Sequence, residues 1–305
     1  MIYTITLNPC IDYLINTDKL ITGAINRCES GHFYCGGKGI NVTLVLKELG
    51  EKSIASGFIA GFTGDEIEKS LNQRDIETDF VRLENGCSRI NVKIRCDEET
   101  DFNTDGPKIS DFDMHLLYKK LDCITDDDVL VLSGSAPSNV DDHVYAKILS
   151  KISKTKALTI VDSTGKKLLS TLEYRPFLIK PNVSELCETF NTKITTLHDI
   201  EKYSIKLQSL GARNVLVSMG DKGSVLFTET KQVIMQSAPN GNVVNTVGAG
   251  DSMVAGFIAG YLKSGDYKAA LKLATACGSA TAFSEGLCTR NEILQMLTLI
   301  EDKTN

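Results

Sequence analysis

The sequence of 305 residues has no tryptophan, only four histidines and no Cys-x-x-Cys pair among its nine cysteines. It also lacks an apolar run close to the ~20 residues that a membrane-spanning helix needs. Acidic residues outnumber basic residues by 39 to 33, so the net charge is -6 and no basic footprint is present. We therefore expect no nucleic-acid partner, no membrane span and no structural zinc site. The thiols are those expected of a cytoplasmic protein, in which cysteines stay reduced.

Apolar segments that alternate with helical patterns make up most of the sequence. A hydrophobic fraction of 42% is sufficient for a large core, and the length fits one large α/β domain or two smaller ones. Strand patterns cover residues 2–7, 53–60, 128–133, 157–162, 177–180, 215–219, 225–227 and 233–235. Many of these strands end in Gly, Ser, Asn or Asp. Because parallel strands have their carboxyl ends at one edge of a sheet, we expect a ligand site at that edge.

Between residues 79 and 103, three short alternating segments interrupt the strand–helix rhythm. Their turns predict a small meander that is separate from the main sheet. Arg89, Asn91 and Lys93 alternate along the middle segment and therefore share one face. A polar face on a small sheet favours a lid rather than a layer of the core, although a solvated edge sheet fits the pattern equally well.

The stretch 245–253, with the sequence Asn-Thr-Val-Gly-Ala-Gly-Asp-Ser-Met, leads into a helical run of small apolar residues. A turn that is poor in side chains and precedes a helix offers free backbone N–H groups to an anion, commonly a phosphate. Asp251 lies there, and a carboxylate at such a site is suited to accepting a proton from an attacking hydroxyl. An acid that only complements the helix dipole is the alternative. Walker A and dinucleotide-binding patterns fit poorly, because Gly250 is followed by Asp and the turn comes late in the chain.

An earlier turn, at 36–39, has the sequence Gly-Gly-Lys-Gly, and its glycines allow a ligand to approach the backbone closely. Lys38 and Asn41 lie about one helical turn apart, so both can face one site. Asp12 follows the first strand, where it either contacts a ligand or caps a turn. Since no histidine occurs in these stretches, Asp251 is the best candidate for a proton acceptor.

The two glycine motifs, in this order and spacing, resemble those of the ribokinase-like (PfkB-type) carbohydrate kinases, and the similarity extends along nearly the whole sequence. Supporting segments are Ser-Arg-Ile-Asn-Val-Lys-Ile at 88–94 and Lys-Pro-Asn at 180–182. The resemblance implies a single domain over 1–305, built as a three-layer α/β/α sandwich with a mostly parallel central sheet. It also implies a small β-sheet lid, drawn from about 11–36 and 79–105, which in this family often forms a dimer.

The resemblance further implies ATP and Mg²⁺ as cofactors and a sugar phosphate as the substrate. Within the family, the motifs look most like those of the branch that phosphorylates the 6-hydroxyl of fructose 1-phosphate. Kinases of tagatose 6-phosphate have overlapping motifs and are the nearest alternative. A non-catalytic sugar-phosphate sensor is the alternative from another class, but a sensor would be expected to lose the carboxylate of Asp251. The expected assembly is a homodimer that is joined through the lid.

The resemblance assigns a role to each candidate residue. It makes Asp251 the catalytic base, and it makes the anion hole from the backbone amides of Gly248, Ala249 and Gly250. The residues that would hold the sugar and its existing phosphate are Asp12, Gly36, Gly37, Lys38, Asn41 and Arg89. Among these, Lys38 and Arg89 would bind the phosphate. The residues that would bind the nucleotide are Lys180, Asn182, Ser218, Gly220, Gly223, Val247, Gly248, Gly250, Cys277 and Gly278. Glu185 would organise Mg²⁺ and its waters, together with Asn182.

One segment departs from the family pattern. The family usually has Leu-Pro-Pro-Gly after the Gly-Ser at 134–135, whereas this sequence has Ala-Pro-Ser-Asn at 136–139. The change leaves the role of this loop open, and it affects neither the expected base nor the expected anion hole.

Overall fold

A computed structural model describes residues 1–28 and 30–302, and these residues form two β-sheets of different size. The strands are, in chain order, β1 (Ile2–Thr6), β2 (Cys10–Asn16), β3 (Ser30–Gly36), β4 (Ser53–Ala60), β5 (Glu77–Leu83), β6 (Arg89–Arg95), β7 (Thr100–Asn103), β8 (Val129–Ser133), β9 (Leu158–Asp162), β10 (Leu178–Ile179), β11 (Asn214–Ser218), β12 (Ser224–Phe227) and β13 (Val233–Gln236). The large sheet has nine strands in the order β13-β12-β11-β10-β9-β8-β1-β4-β5. The small sheet has four strands in the order β3-β2-β6-β7.

The large sheet is mostly parallel, as the sequence predicted. Every neighbouring pair from β5 across to β11 runs parallel, and only the pairs β11–β12 and β12–β13 are antiparallel among the described strands. All five residues of β8 are buried. Such a continuous apolar strand is typical of a parallel sheet that helices cover on both faces.

Helices cover both faces of the large sheet. They are, in chain order, α1 (Lys38–Glu48), α2 (Gly61–Asn72), α3 (Asp111–Lys120), α4 (Val144–Ile152), α5 (Gly165–Leu169), α6 (Val183–Phe190), α7 (Leu197–Ser209), α8 (Ala249–Ser264), α9 (Tyr267–Ala282) and α10 (Arg290–Asp302). One apolar core joins the sheet to α3 through α7, and the core on the other face joins it to α1, α2, α8, α9 and α10. The predicted three-layer α/β/α sandwich is therefore confirmed.

Two glycines explain why α8 and α9 pack so closely. A Cβ atom added at Gly256 would lie 2.7 Å from the carbonyl oxygen of Leu273, and one at Gly260 would lie 2.8 Å from the Cα atom of Ala270. Larger residues would force the two helices apart, which costs packing energy along their whole contact. This packing holds the N-terminus of α8 in place.

The segment 79–83 was wrongly predicted as part of the small sheet. It belongs to β5, which pairs in parallel with β4 at the edge of the large sheet, after the crossover helix α2. Phe80 is buried in the core beside α2, whereas Val81 and Leu83 are buried in the opposite core. A short strand that is buried on both faces and a lid strand give similar patterns over so few residues.

None of the helices in the described part of the chain is long and apolar enough to cross a membrane. The longest runs, α8 and α9, have 16 residues each. Both are buried within the core of the protein, which accounts for their small and apolar composition.

Candidate active site

A cavity of about 950 Å³ lies where the carboxyl ends of the large-sheet strands, the small sheet and the N-terminus of α8 meet. Most of the predicted site residues line it, and these are Asp12, Gly37, Lys38, Asn41, Arg89, Lys180, Asn182, Glu185, Ser218, Gly220, Gly223, Val247, Gly248, Ala249, Gly250, Asp251 and Gly278. The structure thus brings the early, middle and late motifs of the sequence together. The place is the one expected for a ligand in an α/β sheet.

Two predicted residues do not line this cavity. Gly36 is buried, and a Cβ atom there would lie 2.5 Å from Oδ2 of Asp12, so this glycine makes room for that carboxylate. Cys277 was predicted to bind the nucleotide, but its side chain is buried in the core between α8 and α9. Successive residues of a helix point about 100° apart, so Gly278 faces the cavity and its neighbour does not.

The first turn of α8 forms an anion-binding site. Gly248 caps the helix in the left-handed conformation, with φ of 80°, and a Cβ atom there would lie 2.5 Å from Cδ2 of Leu287. The amide of Ser252 closes the first helical hydrogen bond onto the carbonyl oxygen of Gly248, at 2.9 Å. The amides of Gly250 and Asp251 come before this first bond, so they have no carbonyl acceptor within the helix. They lie at the positive end of the helix dipole. Such a turn is suited to a phosphoryl group.

Asp251 lies in this turn and is only 5% exposed. Its Oδ2 atom accepts a hydrogen bond of 2.7 Å from Nδ2 of Asn41. Burial raises the pKa of Asp251, and the negative charge of Asp162 raises it further; Lys38, Asn41 and Lys180 lower it only in part, so the pKa is about 7. A carboxylate with a pKa near neutrality can accept a proton from a substrate hydroxyl and release it again.

Asp162 is a buried residue of the site that the sequence analysis missed. It ends β9, and its carboxylate lies 3.3 Å from Nζ of Lys38 and 3.5 Å from Nζ of Lys180. Burial acts to raise the pKa of Asp162, but the two ammonium groups hold that pKa below its usual value. An acid at the end of an otherwise apolar strand, directly before Ser-Thr-Gly, was the available signal.

Lys38 and Arg89 were predicted to share one phosphate, but their contacts differ. Nζ of Lys38 lies 3.8 Å from Oε1 of Glu185 as well as beside Asp162. Asp162 is the main cause that raises the pKa of Lys38, with smaller contributions from Asp251 and Glu185. Arg89 instead donates from Nε to the carbonyl oxygen of Asn8, at 3.2 Å. Lys38 thus faces the acidic end of the cavity, and Arg89 belongs to the small sheet.

Asn182 and Glu185 form a capping box at the start of α6. Oδ1 of Asn182 accepts from the amide of Glu185, and Oε2 of Glu185 accepts from the amide of Asn182, both at 2.8 Å. Glu185 is therefore held rigidly, and its other oxygen, Oε1, remains on the side of Lys38. The described residues contain no cage of three acids, histidines or cysteines. Mg²⁺ in a phosphate site needs only one or two protein carboxylates, so this donor set fits it.

The loop before α8 and the C-terminal part of α9 also contribute to the lining of the cavity. Here it is lined by Pro239, Gly241, Thr275 and Phe283, together with the predicted residues of the loop after β11. A side chain at Gly241 would collide with the ring of Phe283. The glycine therefore lets the backbone pack closely against the aromatic ring of Phe283, which lines the cavity.

The departing segment 136–139 connects the loop after β8 to the chain that leaves the small sheet. The carboxylate of Asp105 accepts from the amide of Ser138, at 3.1 Å, and from its hydroxyl. Asn139 donates to the carbonyl oxygen of Ile109, at 2.8 Å, and accepts from the amide of the same residue, at 3.3 Å. A Pro-Gly pair at 138–139 would lack both of these side chains. Proline would also lack the N–H that Ser138 donates to Asp105.

A three-layer fold with a buried acid at an anion-binding helix turn defines a phosphotransferase of ribokinase-like architecture. The pattern of the pfkB family of carbohydrate kinases matches residues 5–294, and the chain belongs to that family. The predicted family is therefore confirmed.

Several curated relatives are similar to the chain along nearly its whole length. A 1-phosphofructokinase of Bacillus subtilis is 42% identical over 297 residues, which cover 97% of each chain. A D-tagatose-1-phosphate kinase of Bacillus licheniformis is 37% identical and covers 99% of each chain. A tagatose-6-phosphate kinase of Staphylococcus epidermidis is 34% identical and covers 93% of each chain.

The fold also matches solved structures. Phosphofructokinase-2 of Escherichia coli, in complex with substrates and products, superposes with a TM-score of 0.92 at 27% identity, over 98% of this chain and 99% of that one. The similarity includes both sheets, since nearly the whole chain is covered.

Proposed function

We propose that the protein transfers a phosphoryl group from ATP to the 6-hydroxyl of fructose 1-phosphate, which gives fructose 1,6-bisphosphate. The observation that carries the proposal is the buried Asp251, with a pKa of about 7, at the anion-binding turn of α8. The strong similarity to a 1-phosphofructokinase over 97% of the chain favours this substrate. A non-catalytic sensor is disfavoured, because it has no use for a carboxylate that is held ready to accept a proton.

In the proposed reaction, Asp251 accepts the proton of the 6-hydroxyl as its oxygen attacks the terminal phosphorus. Asn41 fixes the carboxylate through its hydrogen bond of 2.7 Å, so that one oxygen faces the substrate. The amides at Gly248, Ala249 and Gly250 stabilise the charge on the transferred group, for which Ala249 gives up its hydrogen bond of 3.3 Å to the carbonyl oxygen of Thr246. Lys38 lies near Glu185 and Asp162, where it meets the same group from the other side.

ATP supplies the phosphoryl group, and bound Mg²⁺ neutralises charge on its phosphates. Glu185 is the residue that we propose for Mg²⁺, with Asn182 beside it and Lys180 beneath the first turn of α8. Ser218, Gly220, Gly223, Val247 and Gly278 line the path of the nucleotide. The part of the cavity beside Phe283 receives the adenine ring.

The sugar lies against the small sheet, which acts as a lid in one catalytic unit that spans the whole chain. Asp12 accepts a hydrogen bond of 2.8 Å from Asn91 at Oδ1, and its Oδ2, beside Gly36, accepts from a sugar hydroxyl in the proposed complex. Gly37 offers its backbone beside it, and Arg89 binds the phosphate of the sugar.

We place the reaction in the cytoplasm. All nine cysteines fall within the described residues, and none forms a disulfide, which agrees with a reducing compartment.

A panel of phosphosugars tests the substrate. ADP release is measured with fructose 1-phosphate, fructose 6-phosphate, tagatose 1-phosphate, tagatose 6-phosphate and fructose, each with ATP and Mg²⁺. We expect kcat/KM for fructose 1-phosphate to exceed that for every other sugar by at least about 10-fold, since a misplaced hydroxyl or phosphate loses at least one charge-assisted hydrogen bond. A preference for a tagatose phosphate would replace the proposed substrate with the alternative sugar. No turnover with any phosphosugar would reject the proposed class of substrate.

We also propose that the chain forms a homodimer through the outer face of the lid. That face carries Phe33 and Phe102, which are 68% and 55% exposed, and the ring of Tyr13 stacks on Phe33 with 4.4 Å between centroids. Exposed aromatic residues in such a group are typical of a protein interface. A tetrameric inhibited form is known for phosphofructokinase-2 of Escherichia coli.

Changing Phe33 and Phe102 together to aspartate is expected to convert the dimer to a monomer, because two charges would be buried in the interface without partners. Light scattering after gel filtration measures the mass. Phe112→Asp is the control, since Phe112 is 68% exposed but lies on α3, outside the lid. A double variant with the same mass as the wild type would show that the lid face is not the interface.

A further inference from the structure

Two cations of the small sheet flank the position that the sugar occupies in the proposed function. Asp12 on β2 pairs in register with Asn91 on β6. Arg89 and Lys93 lie two residues to either side of Asn91, so all three residues of β6 face the same way. Both cations line the active-site cavity.

The other two cations of the cavity already have an ionic partner within the protein. Among the described residues, the cations that line it are Lys38, Lys180, Arg89 and Lys93. Lys38 and Lys180 both pair with the buried carboxylate of Asp162. Their ammonium groups lie against this carboxylate at the end of β9, so neither is placed to be the main partner of a phosphate that the lid holds.

Lys93 is held in a different way. Its Nζ atom lies 3.3 Å from Oδ2 of Asp101 on the edge strand β7, and the side chain of Asp101 is 48% exposed. The side chain of Lys93 itself is only 18% exposed. An ion pair with a half-exposed carboxylate is weak, so a dianionic ligand can replace it at little cost.

The charges of Arg89 and Lys93 both influence the thiol of Cys10. Burial and the Asp12 carboxylate raise the pKa of the Cys10 thiol to about 12, whereas Arg89 and Lys93 each lower it. Cys10 lies beside Asp12, at the base of the lid, and its Sγ donates to Oδ1 of Asp12, at 3.4 Å. Arg89 and Lys93 thus both act on the face of the lid that carries Asp12.

We infer that Lys93, together with Arg89, binds the phosphate that the sugar already carries, and that Lys38 serves the transferred phosphoryl group instead. This inference rests on the proposed function, because it concerns the phosphosugar of that site. A dianion needs about two positive charges, and the lid supplies them on one rigid strand. Lys93 thereby distinguishes phosphorylated from free sugars.

The test compares Lys93→Met with Arg95→Met. Methionine keeps the length of the lysine stem but removes its charge. Arg95 is the matched control, because it is the next residue on the same face of β6 and pairs with Glu99 at 3.6 Å. It lines the adjoining cavity beside Lys93, but not the cavity that holds Asp251. Calorimetry without ATP measures the Kd of fructose 1-phosphate, and steady-state assays measure kcat/KM for fructose 1-phosphate and for fructose.

Lys93→Met is expected to raise the Kd of fructose 1-phosphate by roughly 10- to 100-fold, as the loss of a charge-assisted hydrogen bond predicts. It should leave kcat/KM for fructose within about threefold, and Lys93→Arg should restore most of the affinity. Lys38→Met should show the opposite pattern, with a large fall in kcat and a Kd for fructose 1-phosphate that changes less than about threefold.

An unchanged Kd in Lys93→Met, or an equal loss for fructose and fructose 1-phosphate, would overturn the inference. So would an equal effect of Arg95→Met, because the charge of the lid as a whole would then be responsible. If the wild type prefers another phosphosugar, the proposed substrate is wrong, and the same comparison is made with the preferred one. In that case the inference is decided only by whether Lys93→Met weakens binding of the preferred phosphosugar.

Discussion

Asp251→Asn is expected to lower kcat by about 10²–10⁴-fold, the usual loss when a general base is removed. Asparagine has the same shape as aspartate, and its oxygen can still accept the hydrogen bond from Asn41. The change also removes a buried negative charge close to Asp162, so the folded state should not lose stability. Activity should thus fall without a fall in the melting temperature or in the affinity for ATP.

The measurements are kcat with fructose 1-phosphate, the Kd of ATP and the Tm. Asp65→Asn serves as the control, because this carboxylate is exposed on α2 and pairs only with Arg82 among its described contacts. A kcat in Asp251→Asn above about one third of the wild-type value would exclude Asp251 as the base. A large drop in Tm would point to a structural role for the residue.

Asp162→Asn is expected to destabilise the protein by about 3–5 kcal/mol, the typical result of breaking a buried ion pair. The neutral amide leaves Lys180, which is only 4% exposed, without a compensating charge. Lys38 would lose its main ionic partner as well. Urea titration measures the free energy of unfolding, and Lys167→Met, which breaks a partly exposed ion pair with Asp142, is the control. A loss no larger than in the control would contradict the proposed importance of the buried cluster.

The same variant should move the pH profile. Asp251 must be ionised to accept a proton, so kcat/KM of the wild type should rise with pH and reach half its maximum near the pKa of about 7. Removing the negative charge of Asp162 favours the ionised form of Asp251, which lowers its pKa. The acidic limb of Asp162→Asn should therefore lie at lower pH than that of the wild type. A limb that stays in place or moves to higher pH would show that another group controls the rate.

The parts of the site that depend on local sequence could be predicted from it. The glycine turn before α8 and the Gly-Gly-Lys-Gly turn before α1 both require a particular backbone, and the residue types reveal it. Gly248, for example, has φ of 80° and caps a helix whose first turn holds Asp251. Similarly, the apolar runs of the parallel strands identified the large sheet, because burial on both faces excludes polar residues.

The parts that depend on distant pairing could not be predicted in the same way. Asp162 and Lys180 come from different strand ends, and only the folded sheet brings them to 3.5 Å. Segment 79–83 was assigned to the wrong sheet, since four or five alternating residues do not specify a partner strand. Lys38 and Arg89 were given one role because both are cations, whereas their contacts in the folded protein differ.

The strand order also determines when the large sheet can close during synthesis. β1 is the first strand to leave the ribosome, yet it lies between β4 and β8, and β8 begins only at Val129. Until then, one side of β1 has unpaired backbone groups, and such an edge can pair with the wrong strand. The small sheet, by contrast, is complete once Asn103 has emerged. From β8 onward each new strand pairs with the one made just before it, so the nascent chain closes its exposed edge late and then extends the sheet one strand at a time.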